Sequence, residues 1–122
     1  MMNFCWITLN VNNMEESLKF YHELLGVKIQ ERFSFGEEME IAMLGEADKP
    51  KIELIYNKGN MATNQTKGIS IGFEVDSLEE AMKKMESKNI AIIRGPISPS
   101  PKVSFFFIND PNGVEIQLVE HK

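Results

Sequence analysis

The chain has 122 residues, of which 43% are apolar and 25% charged, with a formal net charge of −5. That length holds one ordinary domain, or two very small halves sharing a core, and it can bury a sizeable core unaided. The composition argues against disorder, and the acidic balance argues against nucleic acid and gives no reason to expect an anionic membrane surface.

A single cysteine, Cys5, allows no intramolecular disulfide and fits a reducing compartment. The opening Met1-Met2-Asn3-Phe4 has neither a basic nor an apolar region of the kind a signal peptide carries. No apolar run approaches the roughly 20 residues that span a bilayer. The expected location is the cytoplasm.

Along the chain, Ile7, Leu9 and Val11 alternate with Thr8 and Asn10, which predicts a half-buried strand. Asn12 and Asn13 then cap a helix, whose first turn carries Glu15 and Glu16 at the positive end of its dipole. Met14, Leu18, Tyr21 and Leu25 form its apolar stripe, and Gly26 ends it. Strands are expected over 27–35, 39–44 and 51–56, with Gly36 in a turn. The polar stretch Asn57 to Lys67 is the best linker candidate.

The pattern then begins again. Ile69, Ile71, Phe73 and Val75 alternate as a strand, and Asp76 and Ser77 cap a helix carrying Leu78, Met82 and Met85. Asn89 follows it as the residue just past the helix end. A strand is expected over 90–93, then a Pro/Ser-rich loop from Gly95 to Pro101, then a strand over 103–108. Asn109-Asp110-Pro111-Asn112-Gly113 is a strong hairpin turn, and the last strand runs from Val114 to Glu120.

A displacement of 64 residues superimposes the two halves. Ile7 falls on Ile71, Val11 on Val75, Met14 on Leu78, Glu15 on Glu79 and Lys19 on Lys83. The same displacement places Ile52 on Ile116, Leu54 on Leu118 and Ile55 on Val119. Agreement at both ends of the module makes chance a poor explanation. The expected fold is α+β: two tandem βαβββ modules, 1–57 and 68–122, joined by a linker over 58–67 into one domain, with curved mixed sheets around a cleft.

The residues facing that cleft follow from strand alternation. If Ile7, Leu9 and Val11 lie under the first helix, Trp6, Thr8 and Asn10 face the other way, as do Ser70, Gly72 and Glu74 in the second module. Glu53, flanked by Ile52 and Leu54, faces the cleft, and Gln117 is its counterpart. A carboxylate so placed is expensive to bury without a partner, although an edge position or one hydrogen bond would account for it.

Phe20-Tyr21 followed by Leu25-Gly26 resembles the FYxxxLG motif of the vicinal-oxygen-chelate superfamily, which includes glyoxalase I, bleomycin-resistance proteins and extradiol dioxygenases. Asp110-Pro111-Asn112-Gly113 with Glu115-Ile116-Gln117-Leu118 resembles its closing DPxGxxxE[LI] segment. Lys51 to Asn57 is similar to the ligand-bearing strand of bacterial glyoxalase I. The resemblance covers nearly the whole chain and implies four metal-ligand positions, falling on Trp6, Glu53, Ser70 and Gln117. In glyoxalase I these are typically His or Gln, Glu, His and Glu. Only Glu53 matches here, so no metal and no other cofactor is expected. Neither histidine offers an obvious replacement: His22 is expected to be solvated on the first helix and His121 to be frayed near the last residue.

Three readings of the cleft remain. One is a metal-free binding protein of the bleomycin-resistance type, with Trp6 stacking on a planar or cationic ligand. Phe105 and Phe107 would then supply apolar walls, and Glu53, Ser70 and Gln117 the polar contacts. Ordinary core is the plain alternative for the phenylalanines, and filling the place of a lost metal is the plain alternative for Trp6. The second reading is a glyoxalase-like lyase or isomerase with Glu53 as general base, its pKa raised by desolvation. The third is a structural module with a closed cleft and a fully packed Trp6. The resemblance also implies a homodimer.

Overall fold

Alternation in the first half becomes β1, Trp6–Val11, with Leu9 and Val11 buried and Trp6, Thr8 and Asn10 exposed. The computed structural model describes residues 1–59 and 67–122, in two compact units, Met1–Thr63 and Asn64–Lys122. Most of the expected linker lies outside the described residues.

In the first unit, β1 leads into α1, Met14–Leu18, and a π-helical continuation, Lys19–Leu24. Three strands follow: β2, Ile29–Phe35; β3, Met39–Leu44; and β4, Lys51–Asn57. Their order is β1-β4-β3-β2, with β1 parallel to β4 and the other pairs antiparallel. The helix starts where Asn13 Oδ1 accepts the Glu16 amide at 2.9 Å. It ends where the Leu25 amide reaches back to the Phe20 carbonyl at 3.0 Å and Gly26 takes φ +76°. Its Tyr21 is buried against the sheet, and beneath it lie Leu9, Val11, Ala42, Leu44 and Leu54, all buried. Replacing Asn13 by alanine should lower stability by about 1 kcal/mol in chemical denaturation, because the Glu16 amide loses its acceptor.

Arg32 ties this layer together from outside. Its Nε donates to Glu40 on β3 and its Nη2 to Glu15 on α1. Glu40 first, then Glu15, hold the guanidinium above its already high ordinary pKa, with partial burial opposing them. The arginine side chain is 37% exposed, so solvent screens both pairs. Arg32→Gln should therefore lower stability by only about 0.5–1 kcal/mol in a denaturation series, and by less in high salt.

The second unit repeats the plan: β5, Ser70–Glu74; α2, Leu78–Ser87; β6, Arg94–Ser100; β7, Val103–Asn109; β8, Glu115–His121. Its order is β5-β8-β7-β6, again with one parallel pair, β5 with β8. Ser77 Oγ accepts the Glu80 amide at 3.2 Å to cap α2, and Asn89 takes φ +58° just past its end. Asp110 Oδ1 accepts the amides of Asn112 and Val114, both at 2.8 Å, which shapes the last hairpin. Phe106, Ile108, Ile116 and Leu118 form the floor of the helix-side core.

One expectation is corrected. Residues 90–93 are not a strand, and the stretch expected as a Pro/Ser-rich loop is the strand β6. Among the described residues β6 pairs only with β7, and its register breaks twice, between Arg94 and Ile97 and between Ile97 and Ser100. An edge strand with such breaks accommodates prolines that a central strand would reject. Both units are thus βαβββ, and among the described residues the fold is two mixed four-stranded sheets with two helices.

Candidate functional site

In the first unit the sheet face away from the helix carries the expected residues. β1 and β4 run parallel, with Trp6 beside Lys51 and Thr8 beside Glu53. Trp6, Thr8, Lys51 and Glu53 therefore share one face, and Glu53 is one pair-step from Trp6. The Thr8 hydroxyl donates to Glu53 Oε1 at 2.6 Å. That bond, and the half-buried position of Glu53, explain how β4 tolerates a carboxylate between buried Ile52 and Leu54.

Trp6 is 50% exposed, so it is not the fully packed residue that a closed site would have. Neither does it wall Glu53 off from water. Lys51, by contrast, is buried, and its Nζ donates to the carbonyls of Ala47 and Lys49 in the turn before β4. Sequence reasoning passed over Lys51 and treated Thr8 only as facing the cleft. Nothing in a lone Lys or Thr signals a partner that the β1–β4 register supplies.

In the second unit the corresponding face carries Ser70, Gln117, Phe105 and Phe107. Ser70 lies opposite Glu115, and Gln117 lies between Gly72 on one side and Phe107 on the other. A methyl group on Gly72 would meet Gln117 Oε1 at 3.6 Å, ordinary contact, so glycine leaves that amide oxygen uncovered from the β5 side. The Phe105 and Phe107 rings meet edge to face at 5.6 Å, while Phe106 between them is fully buried on the helix side. Phe107 is also buried and Phe105 half-buried.

Arg94, which the sequence placed just before a loop, sits on this face as well. Its guanidinium carbon lies 4.0 Å above the Phe107 ring, and the group pairs with Glu115. Only the β6–β7 register reveals this. Of the two histidines, only His121 differs from expectation. His22 is exposed, as expected, and its Nδ1 lies 2.9 Å from the Val27 carbonyl, so it donates there and secures the helix end. His121 belongs to β8, opposite Val103, and pairs with Glu74 instead of fraying.

The residues at the four ligand positions do not fit the divalent ion that the resemblance implies. The Trp6 indole N–H is a donor only, Ser70 and Gln117 offer neutral oxygens, and Glu53 already accepts from Thr8. Among the described residues, no three His, Cys, Asp or Glu side chains cluster closely enough to hold a metal. A groove lies elsewhere, on the helix side of the second unit, and none of these residues lines it.

Known proteins agree with this architecture. The chain is 34% identical to a lactoylglutathione lyase of Oryza sativa, an alignment covering 96% of the chain but only 44% of the rice protein. It is 30% identical to the lactoylglutathione lyase of Neisseria meningitidis, covering 93% of the chain and 87% of that protein. Glyoxalase I of Leishmania major superimposes with a TM-score of 0.83 at 24% identity, covering 98% of this chain and 87% of that one. A glyoxalase family protein from Bacillus cereus gives 0.84 at 16% identity, covering 99% and 95%. At those identities the two structures speak for the fold alone. Residues 4–118 match the sequence model of one superfamily, and the chain belongs to it: the Glyoxalase/Bleomycin resistance protein/Dioxygenase superfamily.

Proposed function

We propose that this protein binds a small planar or aromatic molecule without a metal ion. The observation that supports this best is the half-exposed indole of Trp6 beside a carboxylate braced by Thr8. Indole offers a broad flat surface for stacking, and Glu53 offers one directed acceptor. With Lys51 turned into its own loop, the polar group on this face is anionic, which favours a ligand carrying a positive charge. In the second unit, Phe105, Phe107, Ser70 and Gln117 are the matching contacts in this reading.

Trp6 is the only tryptophan, so its emission reports directly on the site. Titration with 9-aminoacridine should quench it saturably. Unchanged emission across a panel of flat aromatic compounds would remove the main support. Elemental analysis of purified protein is expected to show no stoichiometric metal, and one equivalent of nickel, zinc or iron would overturn the metal-free part. Sedimentation velocity is expected to show a homodimer.

A second reading is favoured by the relatives, which are named lactoylglutathione lyases. On that reading Glu53 acts as general base in a glyoxalase-like reaction. Formation or consumption of lactoylglutathione that disappears in Glu53→Gln would establish it. Fold alone does not, because the same fold hosts several chemistries.

A further inference from the structure

The internal repeat exposes a vacancy in the second unit. In the first unit, Arg32 spans from Glu15 on the helix to Glu40 on β3. Displaced by 64 residues, Glu15 becomes Glu79 and Glu40 becomes Ser104. The arginine has no counterpart: the matching stretch of β6 is the irregular segment between Arg94 and Ile97, where Gly95 and Pro96 stand. At the equivalent place beside α2, the second unit has a groove of about 880 Å³, and both Glu79 and Ser104 line it.

The groove has the anatomy of a small-molecule site. Leu78, Met82, Ile90, Ile92 and Pro96 supply apolar walls. Ser104 is buried, and its hydroxyl lies 2.7 Å from that of Ser98. The size falls within the range of about 300–1,000 Å³ typical of ligand pockets. Around it stand Glu79, Glu86 and Glu120 against Lys83 and Lys122. Glu120 already accepts the Leu78 amide at 2.6 Å, and Glu79 pairs with Lys83 at 3.4 Å. That pair is an exposed contact one helical turn apart, of the kind that yields readily to a better-placed cation.

We propose that this groove is a second ligand site, separate from the Trp6 face, for a small molecule with a guanidinium or ammonium head on an apolar stem. The head takes the place that Arg32 holds in the first unit, reaching Glu79 and the Ser98–Ser104 hydroxyls. The stem lies along Met82, Ile90 and Ile92. The chain's own arginine thus serves as the template for the ligand.

Hexylguanidinium tests this on the intact protein, with hexanol and hexanoate as neutral and anionic controls, followed by NMR. Hexylguanidinium should shift the Ser98 and Ser104 amides and the Met82 methyl, leave Trp6 emission unchanged, and bind about tenfold more tightly than either control. Glu79→Gln, on the exposed surface, should erase that advantage. Met82→Trp should fill the groove and abolish binding without lowering the unfolding temperature. Equal binding of the three compounds, shifts absent from the groove residues, or full affinity in Met82→Trp would each overturn the proposal.

Discussion

Phe106→Ala should lower stability by about 3–5 kcal/mol, the largest single effect expected in this chain. Phe106 is fully buried on the helix side of β7, opposite Leu118 on β8, itself only 2% exposed. Removing the ring deletes its transfer free energy and leaves a cavity that neighbouring strands cannot collapse into. The repeat sharpens the prediction. Displaced by 64 residues, Phe106 corresponds to Ala42 and Met85 to Tyr21. The first unit therefore combines the larger helix residue, Tyr21, with a small strand residue, and the second combines the smaller helix residue, Met85, with a large strand residue. All four are buried. Introducing Met85→Tyr into Phe106→Ala should recover about 1–2 kcal/mol, since the pair restores volume to one layer. Urea denaturation with an unchanged slope and a displaced midpoint is the measurement. A loss below about 1 kcal/mol for Phe106→Ala would show that the layer is not close-packed.

Trp6→Ala should do the opposite: little to stability and much to binding. With half its surface exposed, Trp6 contributes little to the core, and its loss should change stability by about 0.5 kcal/mol or less. If it is the stacking platform, the affinity for 9-aminoacridine should fall about 30-fold, as expected for an aromatic anchor worth about 2 kcal/mol. The ligand's own fluorescence serves as readout once the tryptophan is gone. Trp6→Phe should retain part of the affinity, because a smaller flat face remains. Unchanged affinity in Trp6→Ala would move the binding surface elsewhere. A collapse of stability instead would make Trp6 a structural residue.

Glu53→Gln separates charge from shape on the same face. The amide keeps an oxygen that can accept from Thr8, yet it removes the negative charge. A cationic ligand should then lose affinity and an uncharged ring should not.

The amino-acid sequence alone determined the doubled βαβββ plan, because its main signals are local. Alternation marked β1 and β5, Asn13 and Ser77 capped the helices as expected, and Gly26 and Asn89 ended them with positive φ. The same alternation correctly assigned Trp6, Glu53, Ser70 and Gln117 to the face away from the helices. The tertiary structure decided what strand pairing decides. β6 was illegible because its identity comes from β7 rather than from its own proline-broken sequence. The Thr8–Glu53 bond, the Arg94–Phe107–Glu115 cluster and the pairing of His121 with Glu74 all join residues on different strands. So does the Arg32 clamp, which joins β2 to β3 and to α1. Periodicity tells which face a side chain takes, but only register across strands tells which side chain it meets.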